Sequence, residues 1–372
     1  MTMDTRADLI VVGAGIVGLA HAVDAHLRGL KVQVLERDQR AVGASIRNFG
    51  HVCTTAQSGQ ALAYAQVARE RWLKVSALAG FDVAQHGTVA VARTADEMAV
   101  LTEFAEARGA DQAVLLTPGQ VAEKLGWPVP DAVGGAWMPY DLRVDPRAAV
   151  PAIAAWLQSE GVDIRFGVNA GHVADGTVLT NQGTFEADRV VHASGHDVDR
   201  LFPGIAAEYE VQRCRLQMLE VAPPRDVVIN PAVFTGTSLL RYDGFAEMPS
   251  AAKVRATITT EQPDLLENVV NLMMTQRPDG NVVLGDTHHY DRTHLPFDDE
   301  SMADLLLREG ERLFGQPLTV RKRWRGVYAS STRTNFLIAA PDARTRVVSV
   351  TSGIGMTTGL GLAPAVLDEF LD

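Results

Sequence analysis

Apolar residues recur along the chain with two different periods, and each period predicts one kind of element. A helical period, ended by glycine or turn residues, predicts helices at Gln60–Ala79, Ala95–Arg108, Arg147–Glu160 and Ser301–Phe314. Short runs rich in β-branched residues predict strands at Leu9–Val12, Lys31–Leu35, Gly87–Val91, Arg189–Ala193, Leu216–Val221, Val254–Thr259, Asn281–Gly285 and Val347–Thr351. The two kinds of element are interleaved without repeats or an obvious linker, so the pattern predicts a mixed α/β protein.

Three glycines follow the first predicted strand in a spacing that serves dinucleotide binding. Gly13 permits the tight turn, Gly15 lets the backbone approach a pyrophosphate, and Gly18 lets the following helix pack closely on the strand. Glu36 ends the second strand about twenty residues later, where a carboxylate accepts hydrogen bonds from a ribose 2′-hydroxyl. Strand, glycines, helix, strand and acid in this order predict a domain that binds a dinucleotide.

Length, charge and cysteine content exclude several other classes of protein. The 372 residues suit two domains, and 34 basic against 45 acidic residues argue against a nucleic-acid or anionic-membrane partner. Cys53 and Cys214 form no C-x-x-C pair, so we expect neither a metal site nor a disulfide framework. The first residues have an acidic lead and only a strand-length apolar run, which predicts no signal peptide and no membrane span. We therefore expect a cytoplasmic protein.

Two segments resemble the D-amino-acid oxidase, glycine oxidase and sarcosine oxidase superfamily of flavoproteins. "GASIRNFGHV" at residues 43–52 resembles the segment that covers the flavin there, and "VTSGIGMTTGLGLA" at residues 350–363 resembles the one that wraps its pyrimidine end. The resemblance implies that FAD is the cofactor and that the last helix points its positive end at the flavin N1–C2=O locus. It implies cofactor contacts from Gly13, Gly15, Gly18, Glu36, Arg37, Ala44, Ser45, Arg47, Asn48, Val173, Gly195, Gly353, Gly355, Met356 and Thr357.

The same resemblance implies two interleaved domains. A Rossmann-like FAD-binding domain takes residues 1–50, 145–213 and 325–372, and an antiparallel-sheet substrate domain takes residues 51–144 and 214–324. The expected fold class is thus α/β, of the two-domain α+β kind.

A narrower resemblance concerns the substrate. "GASIRNFGHV", "RCRLQML", "VVLGDTHHYDRTHLPFDDE", "RKRWRGVYASS" and "VTSGIGMTTGLGLA" are together similar to a subfamily of FAD-dependent oxidoreductases found with phosphonate-degradation enzymes. This implies oxidation of 2-aminoethylphosphonate or its N-methyl derivative. Hydride transfer to flavin N5 would give an imine that hydrolyses to phosphonoacetaldehyde, with molecular oxygen as the expected acceptor.

Three departures from the better-known relatives qualify these expectations. Tyr328 in "GVYA" replaces the arginine of "GLRP" that clamps a substrate carboxylate, which makes a plain amino-acid substrate doubtful. Gly326 replaces the cysteine that attaches the flavin of sarcosine oxidase, so we expect noncovalent FAD. Val283 replaces an oxygen-activating lysine, which leaves open an FAD dehydrogenase of a glycine- or sarcosine-like amino acid that uses another acceptor. A non-catalytic flavoprotein is a further alternative.

The candidate chemistry lies with histidines and tyrosines near the expected flavin. A neutral imidazole can take a proton from a substrate ammonium or bond its anionic tail, although a histidine pair at a strand end can also be a structural cap. Tyrosines can bond an anion or simply pack in the core. We expect catalytic roles for His288, Tyr328 and His51, and substrate contacts from Arg47, Tyr242, His288, His289 and Tyr328.

Overall fold

The computed structural model describes residues 6–371, so the outermost ends of the predicted FAD-binding segments, at residues 1–5 and 372, lie outside the described residues. The helices are α1 (Ile16–Leu27), α2 (Gly59–Ala79), α3 (Ala95–Arg108), α4 (Pro118–Leu125), α5 (Pro146–Ser159), α6 (Val198–Leu201), α7 (Pro203–Glu208), α8 (Asp243–Ala246), α9 (Ala251–Glu261), α10 (Pro263–Glu267), α11 (Glu300–Phe314) and α12 (Gly355–Leu371). Between residues 6 and 371, no helix combines the length and the apolar character needed to cross a membrane.

The strands form three sheets. They are β1 (Ala7–Val12), β2 (Val32–Glu36), β3 (His51–Val52), β4 (Val83–Ala84), β5 (Thr88–Ala92), β6 (Val114–Leu116), β7 (Gly134–Met138), β8 (Leu142–Val144), β9 (Asp163–Phe166), β10 (Ala170–Ala174), β11 (Thr177–Thr180), β12 (Gly183–His192), β13 (Gln212–Ala222), β14 (Ala232–Phe234), β15 (Met273–Gln276), β16 (Val282–Gly285), β17 (His289–Asp291), β18 (Thr319–Ser330), β19 (Phe336–Asp342) and β20 (Thr345–Val350).

The first sheet has the parallel centre of a dinucleotide-binding fold. Strands β9, β2, β1, β12 and β20 are parallel neighbours in that order, and β10, β11 and β19 extend the sheet by antiparallel pairing. Because central parallel strands are covered on both faces, most residues of β1 and all residues of β2 are buried. Residues of α1, α2, α5 and α12 share one hydrophobic core with this sheet.

The second sheet is antiparallel except at one pair of strands. Its order is β17-β13-β16-β15-β14-β5-β7-β6, with β18 also pairing with β13, and only β14 and β5 run parallel. A separate and larger hydrophobic core packs it against α3, α9 and α11. Strands β3, β8 and β4 form a small third sheet. The predicted α/β fold with a Rossmann-like part and an antiparallel part is confirmed, while the domain boundaries stay a prediction.

The strand predicted at Val254–Thr259 is wrong, because this segment lies inside α9. Val254 and Ile258, four residues apart, are 2% and 9% exposed and therefore bury one face of a helix. The hydroxyl groups of Thr259 and Thr260 donate to carbonyl oxygens four residues earlier, at 2.7 and 3.1 Å. Burial at helical spacing thus outweighs the strand preference of the β-branched residues. Each of the other predicted helices and strands overlaps an element of the same kind, although β12 begins six residues and β13 four residues before the strands predicted there.

Candidate active site

A cavity of about 610 Å³ is lined by residues of both large sheets. At one end lie the glycine turn after β1 and the end of β2, and at the other lie side chains from β3, β18 and the loops around β15 and β16. A volume of this size is typical of ligand-binding clefts. The cavity therefore joins the predicted dinucleotide site to the predicted substrate site.

The glycine turn opens its backbone toward the cavity. Gly13 has a φ of +107°, which favours glycine, and it lines the cavity. A Cβ atom on Gly18 would lie 1.9 Å from the carbonyl oxygen of Gly13, so α1 can pack on this turn only with glycine there. A Cβ on Gly15, which also lines the cavity, would lie 3.1 Å from Ser45 Oγ. The turn thus keeps free the space that a pyrophosphate needs, and the residues fit FAD.

The carboxylate of Glu36 lies beside this turn. Its Oε2 accepts the backbone N–H of Ala14 at 2.8 Å, and its Oε1 accepts that of Asp38 at 3.0 Å. Glu36 is 9% exposed and lines the cavity, as a carboxylate that contacts the ribose would have to do. Arg37, next in sequence, also lines the cavity and donates to Asp197 Oδ2 at 2.6 Å. The ribose contact itself stays a prediction.

The segment predicted to cover the flavin is held against the cavity by its own hydrogen bonds. Ser45 Oγ accepts an N–H from the first turn of α1 at 2.8 Å. Asn48 Nδ2 donates to the carbonyl oxygen of Ala44 at 2.9 Å, and Arg47 Nη1 donates to that of Arg325 at 3.2 Å. The segment therefore connects the glycine turn to β18.

The C-terminal glycine segment also reaches the cavity. Gly353 has a φ of +78°, and a Cβ there would lie 2.8 Å from the ring of Tyr328. Helix α12 begins at Gly355, and its first residues line the cavity, so its positive end faces the cavity. Thr357 Oγ1 accepts the backbone N–H of Cys53 at 3.1 Å and ties this helix to the segment after β3.

Most of the predicted cofactor residues line the cavity, and two do not. Those that line it are Gly13, Gly15, Glu36, Arg37, Ala44, Ser45, Arg47, Asn48, Gly195, Gly353, Gly355, Met356 and Thr357. Gly18 lies behind the turn, in its packing role. Val173 is 4% exposed and packs in a small core with Val178, whereas Val168 and residues 169–171 line the cavity in its place. The cavity is reached at the start of β10, before the chain turns Val173 into the core.

Arg241 is the most informative residue that the sequence prediction missed. It lines the cavity, and its Nη2 donates to the carbonyl oxygen of Ser352 at 2.8 Å and to Tyr328 Oη at 3.4 Å. Within residues 6–371 it forms no ion pair. The replacement of arginine by Tyr328 therefore does not remove the cation from this end of the cavity, because Arg241 supplies one from another segment. The only signal in the sequence was its position next to Tyr242.

His288 and Asp286 lie side by side at the same end of the cavity. His288 Nδ1 lies 2.8 Å from the carbonyl oxygen of Val269, which can only accept, so Nδ1 carries the proton and Nε2 keeps a lone pair. Burial, together with the charge of Arg241, lowers the pKa of His288 to about 3. Burial raises the pKa of Asp286 to about 7, although Arg241 and Asn271 oppose the change. Asp286, which the sequence prediction also missed, leaves Oδ1 without a partner among the described residues.

His51 completes the set of candidate catalytic residues that meet at the cavity. It is 7% exposed, and its Nε2 lies 2.6 Å from Thr88 Oγ1. Tyr242 also lines the cavity, and burial raises the pKa of its phenol, so it can donate a hydrogen bond. His289 does not line the cavity, since successive residues of an extended chain point to opposite sides. Its predicted substrate contact is therefore not supported by its position.

Comparison with known proteins agrees with this geometry. A family model described as FAD dependent oxidoreductase matches residues 8–368. The bifunctional protein ThiO/ThiG of Synechocystis sp. is 32% identical over 217 residues, a match that covers 54% of this chain and 32% of that protein. This chain thus spans about a third of the length of that relative.

Two solved structures share the fold. Glycine oxidase from Bacillus cereus superposes with a TM-score of 0.79 at 15% identity and covers 98% of this chain and 95% of its own. L-proline dehydrogenase from P. horikoshii superposes with a TM-score of 0.78 at 19% identity and covers 98% and 92% of the two chains. At this identity the likeness concerns the fold.

Proposed function

Because this chain belongs to the family of FAD-dependent oxidoreductases and uses FAD as its cofactor, we propose that it oxidises a small amine with an anionic tail. The substrate we propose is 2-aminoethylphosphonate or its N-methyl derivative, and the product is phosphonoacetaldehyde. Bound FAD supplies the acceptor for the hydride that leaves the carbon beside the nitrogen. The protein residues hold the amine, exclude water and place charges around it.

One observation supports this proposal above the others: a guanidinium without an ion pair and two acceptor atoms without a hydrogen-bond donor among the described residues line the same cavity. Arg241 has no ion-pair partner among the described residues, so an anionic group of a ligand would compensate its charge. His288 Nε2 and Asp286 Oδ1 offer lone pairs to the N–H groups of an amine. A molecule with an anion at one end and an amine at the other satisfies both sets.

The distribution of donors favours a tetrahedral anion. Tyr328 and Tyr242 line the cavity with Arg241, so the polar groups come from three side chains rather than from one planar fork. The hydroxyl of Tyr242 donates to Met273 Sδ at 3.4 Å, a weak acceptor that a ligand oxygen would replace. A phosphonate has three acceptor oxygens and suits donors that approach from several directions. The motifs "GDTHHY" and "RWRGVYASS", shared with the phosphonate-linked subfamily, point the same way.

A second candidate is the oxidation of a glycine- or sarcosine-like amino acid. Arg241 favours it, because a guanidinium also binds a carboxylate in bidentate fashion. The absence of a lysine at Val283 keeps open an electron acceptor other than oxygen. Both candidates need the amine to lie beside the cofactor, and they differ in the tail that contacts Arg241.

We also propose that FAD is held without a covalent bond to cysteine. Gly326 lines the cavity where the attachment cysteine of sarcosine oxidase would stand. Burial raises the pKa of the Cys53 thiol well above its usual value, and it raises that of Cys214 to about 12. Both sulfurs therefore remain thiols, which are poor nucleophiles.

The test is anaerobic bleaching of the purified holoenzyme by four amines. We expect kcat/KM to be higher for 2-aminoethylphosphonate or its N-methyl form than for glycine and sarcosine. A higher value for either amino acid than for both phosphonates would refute the substrate assignment in favour of the second candidate. Admission of air after bleaching measures whether oxygen is the acceptor. A flavin that none of the amines bleaches would instead support a non-catalytic flavoprotein.

A further inference from the structure

Three buried side chains form a hydrogen-bonded chain that leads away from the cavity. His51, Thr88 and Asp141 are 7%, 0% and 0% exposed. Thr88 Oγ1 donates to Asp141 Oδ2 at 2.7 Å, and His51 Nε2 lies 2.6 Å from the same hydroxyl oxygen. The other oxygen of Asp141 accepts the backbone N–H of Thr55 at 2.8 Å. We call His51, Thr88 and Asp141 the relay, because each is hydrogen-bonded to the next.

The direction of these hydrogen bonds determines the tautomer of His51. A hydroxyl group has one proton, and the proton of Thr88 goes to the carboxylate of Asp141. Thr88 Oγ1 must then accept from His51, so Nε2 carries the ring proton. The lone pair is left on Nδ1, which is buried and has no partner among the described residues. His51 is one of the residues that line the cavity, and Nδ1 is its one polar ring atom without a hydrogen-bond partner among the described residues.

We propose that His51 Nδ1 accepts the proton that the substrate ammonium loses before oxidation, and that Thr88 and Asp141 are positioning residues for this step. The N–H bond of the ammonium breaks, the nitrogen keeps the electron pair, and an Nδ1–H bond forms, with no transfer of electrons. The inference rests on the proposed oxidation of an amine, which requires a neutral nitrogen beside the cofactor.

The relay compensates the charge that His51 gains. Asp141 Oδ2 lies 3.5 Å from Nε2, so a carboxylate faces the ring on the side of the Nε2–H group. The sulfur of Cys53 lies within 4.8 Å of both groups, but burial raises the pKa of that thiol and keeps it neutral. Arg143 lies opposite His51 in the backbone pairing of β3 with β8, and it lines a neighbouring cavity. The two oxygens of Asp141 accept from the backbone N–H of Thr55 and from the hydroxyl of Thr88.

The other two acceptors are less suited to this step. His288 would gain a positive charge beside Arg241, and burial together with that charge holds the pKa of His288 at about 3. Burial raises the pKa of Asp286 to about 7 against the opposing charge of Arg241, so near neutral pH much of this carboxyl group already holds a proton and cannot accept another. His288 Nε2 also lies 3.9 Å from a carboxylate oxygen, that of Asp286, but Asp286 lines the cavity itself, whereas Asp141, the carboxylate beside His51, does not.

The experiment compares Thr88→Val, which removes the hydroxyl, with Thr88→Ser, which keeps it. Flavin reduction by 2-aminoethylphosphonate is followed anaerobically by stopped flow in the holoenzymes, from about pH 7 to about pH 10.5, where a simple amine becomes neutral in solution. We expect Thr88→Val to reduce the flavin about 10- to 100-fold more slowly at neutral pH and to approach the wild-type rate at the alkaline end. Thr88→Ser should stay within about 3-fold at every pH.

Two outcomes of this comparison would overturn the proposal. A loss in Thr88→Val that is equal at every pH indicates a purely structural role. Asp286→Asn is measured in the same way, and Asp286 is the acceptor if alkali restores the rate of flavin reduction in Asp286→Asn but not in Thr88→Val.

If glycine or sarcosine bleaches the wild type instead of the phosphonates, the substrate assignment fails and the relay is tested with that amine. If no amine bleaches it, both proposals fail.

A measurement without turnover tests the tautomer directly. In protein with ¹⁵N-labelled histidine, two-bond ¹⁵N–¹H spectra distinguish Nε2–H from Nδ1–H rings, and the His51 signals are those lost in His51→Gln. We expect the Nε2–H form in the wild type and in Thr88→Ser, and a mixture in Thr88→Val. The Nδ1–H form in the wild type would contradict the relay even if Thr88→Val failed to fold.

Discussion

The carboxyl group of Asp286 makes folding depend on pH in an unusual direction. It is 4% exposed, and burial raises its pKa from 3.8 to about 7. The folded protein therefore holds this proton more tightly than the unfolded chain does. The stability that Asp286 contributes to the folded protein is fully present below about pH 4. It is lost progressively as the pH rises through about 7, because the folded state must then accommodate a buried charge. Most paired carboxylates have the opposite effect.

Asp286→Asn removes this charge with almost no change in shape. A pKa shift from 3.8 to about 7 corresponds to at most ~4 kcal/mol of unfolding free energy, at ~1.36 kcal/mol per pKa unit. We expect the variant to be more stable than the wild type by a margin that widens by ~2–3 kcal/mol between about pH 5 and about pH 8. At about 2–4 °C per kcal/mol, the difference in Tm should widen by roughly 5–10 °C.

The assay is thermal unfolding of both holoenzymes in excess FAD at the two pH values, with Asp304→Asn as an exposed control. A Tm difference that does not change with pH would refute the reasoning and show that Asp286 is ionised in the folded protein. The same variant should lose about 10- to 150-fold in kcat/KM for the amine, since a charged hydrogen bond contributes about 1.5–3 kcal/mol. Greater stability with lower activity is the expected trade-off at a binding site.

Three further predictions concern the cofactor and the substrate contacts. Gly15→Val should fold but lose FAD, because its side chain enters the space left open beside Ser45 Oγ. Gly119→Ala is the control, since no heavy atom lies within 4 Å of a Cβ there. Full flavin occupancy of Gly15→Val would contradict this role of the turn. Denaturation should release free flavin, and flavin that precipitates with the chain would disprove noncovalent binding. Tyr328→Phe and His288→Ala should each lower kcat/KM about 10- to 150-fold with flavin content unchanged, and unchanged kcat/KM would exclude a substrate contact.

The dinucleotide end of the site could be predicted from sequence because its chemistry is local. The φ of Gly13 and the close approach of Gly18 to its carbonyl oxygen are properties of a single strand–turn–helix segment. Glu36 follows at the end of the next parallel strand, so its register with the turn depends on one βαβ unit. The segments at residues 43–52 and 350–363 were found through their resemblance to a family, and their residues line the same cavity.

The substrate end depended on contacts between segments that are far apart in the chain. Arg241 meets Tyr328 across 87 positions, and the hydrogen bonds from His51 to Asp141 pass through Thr88, which lies on a different sheet from His51. No periodicity marks such residues, because each is an ordinary polar residue in its own segment. The same reason explains the helix at Val254–Thr259, where burial against the second sheet overrode local preference. Local backbone chemistry can be read along the chain, whereas burial, the field of Arg241 and the direction of a shared proton exist only once distant segments are packed together.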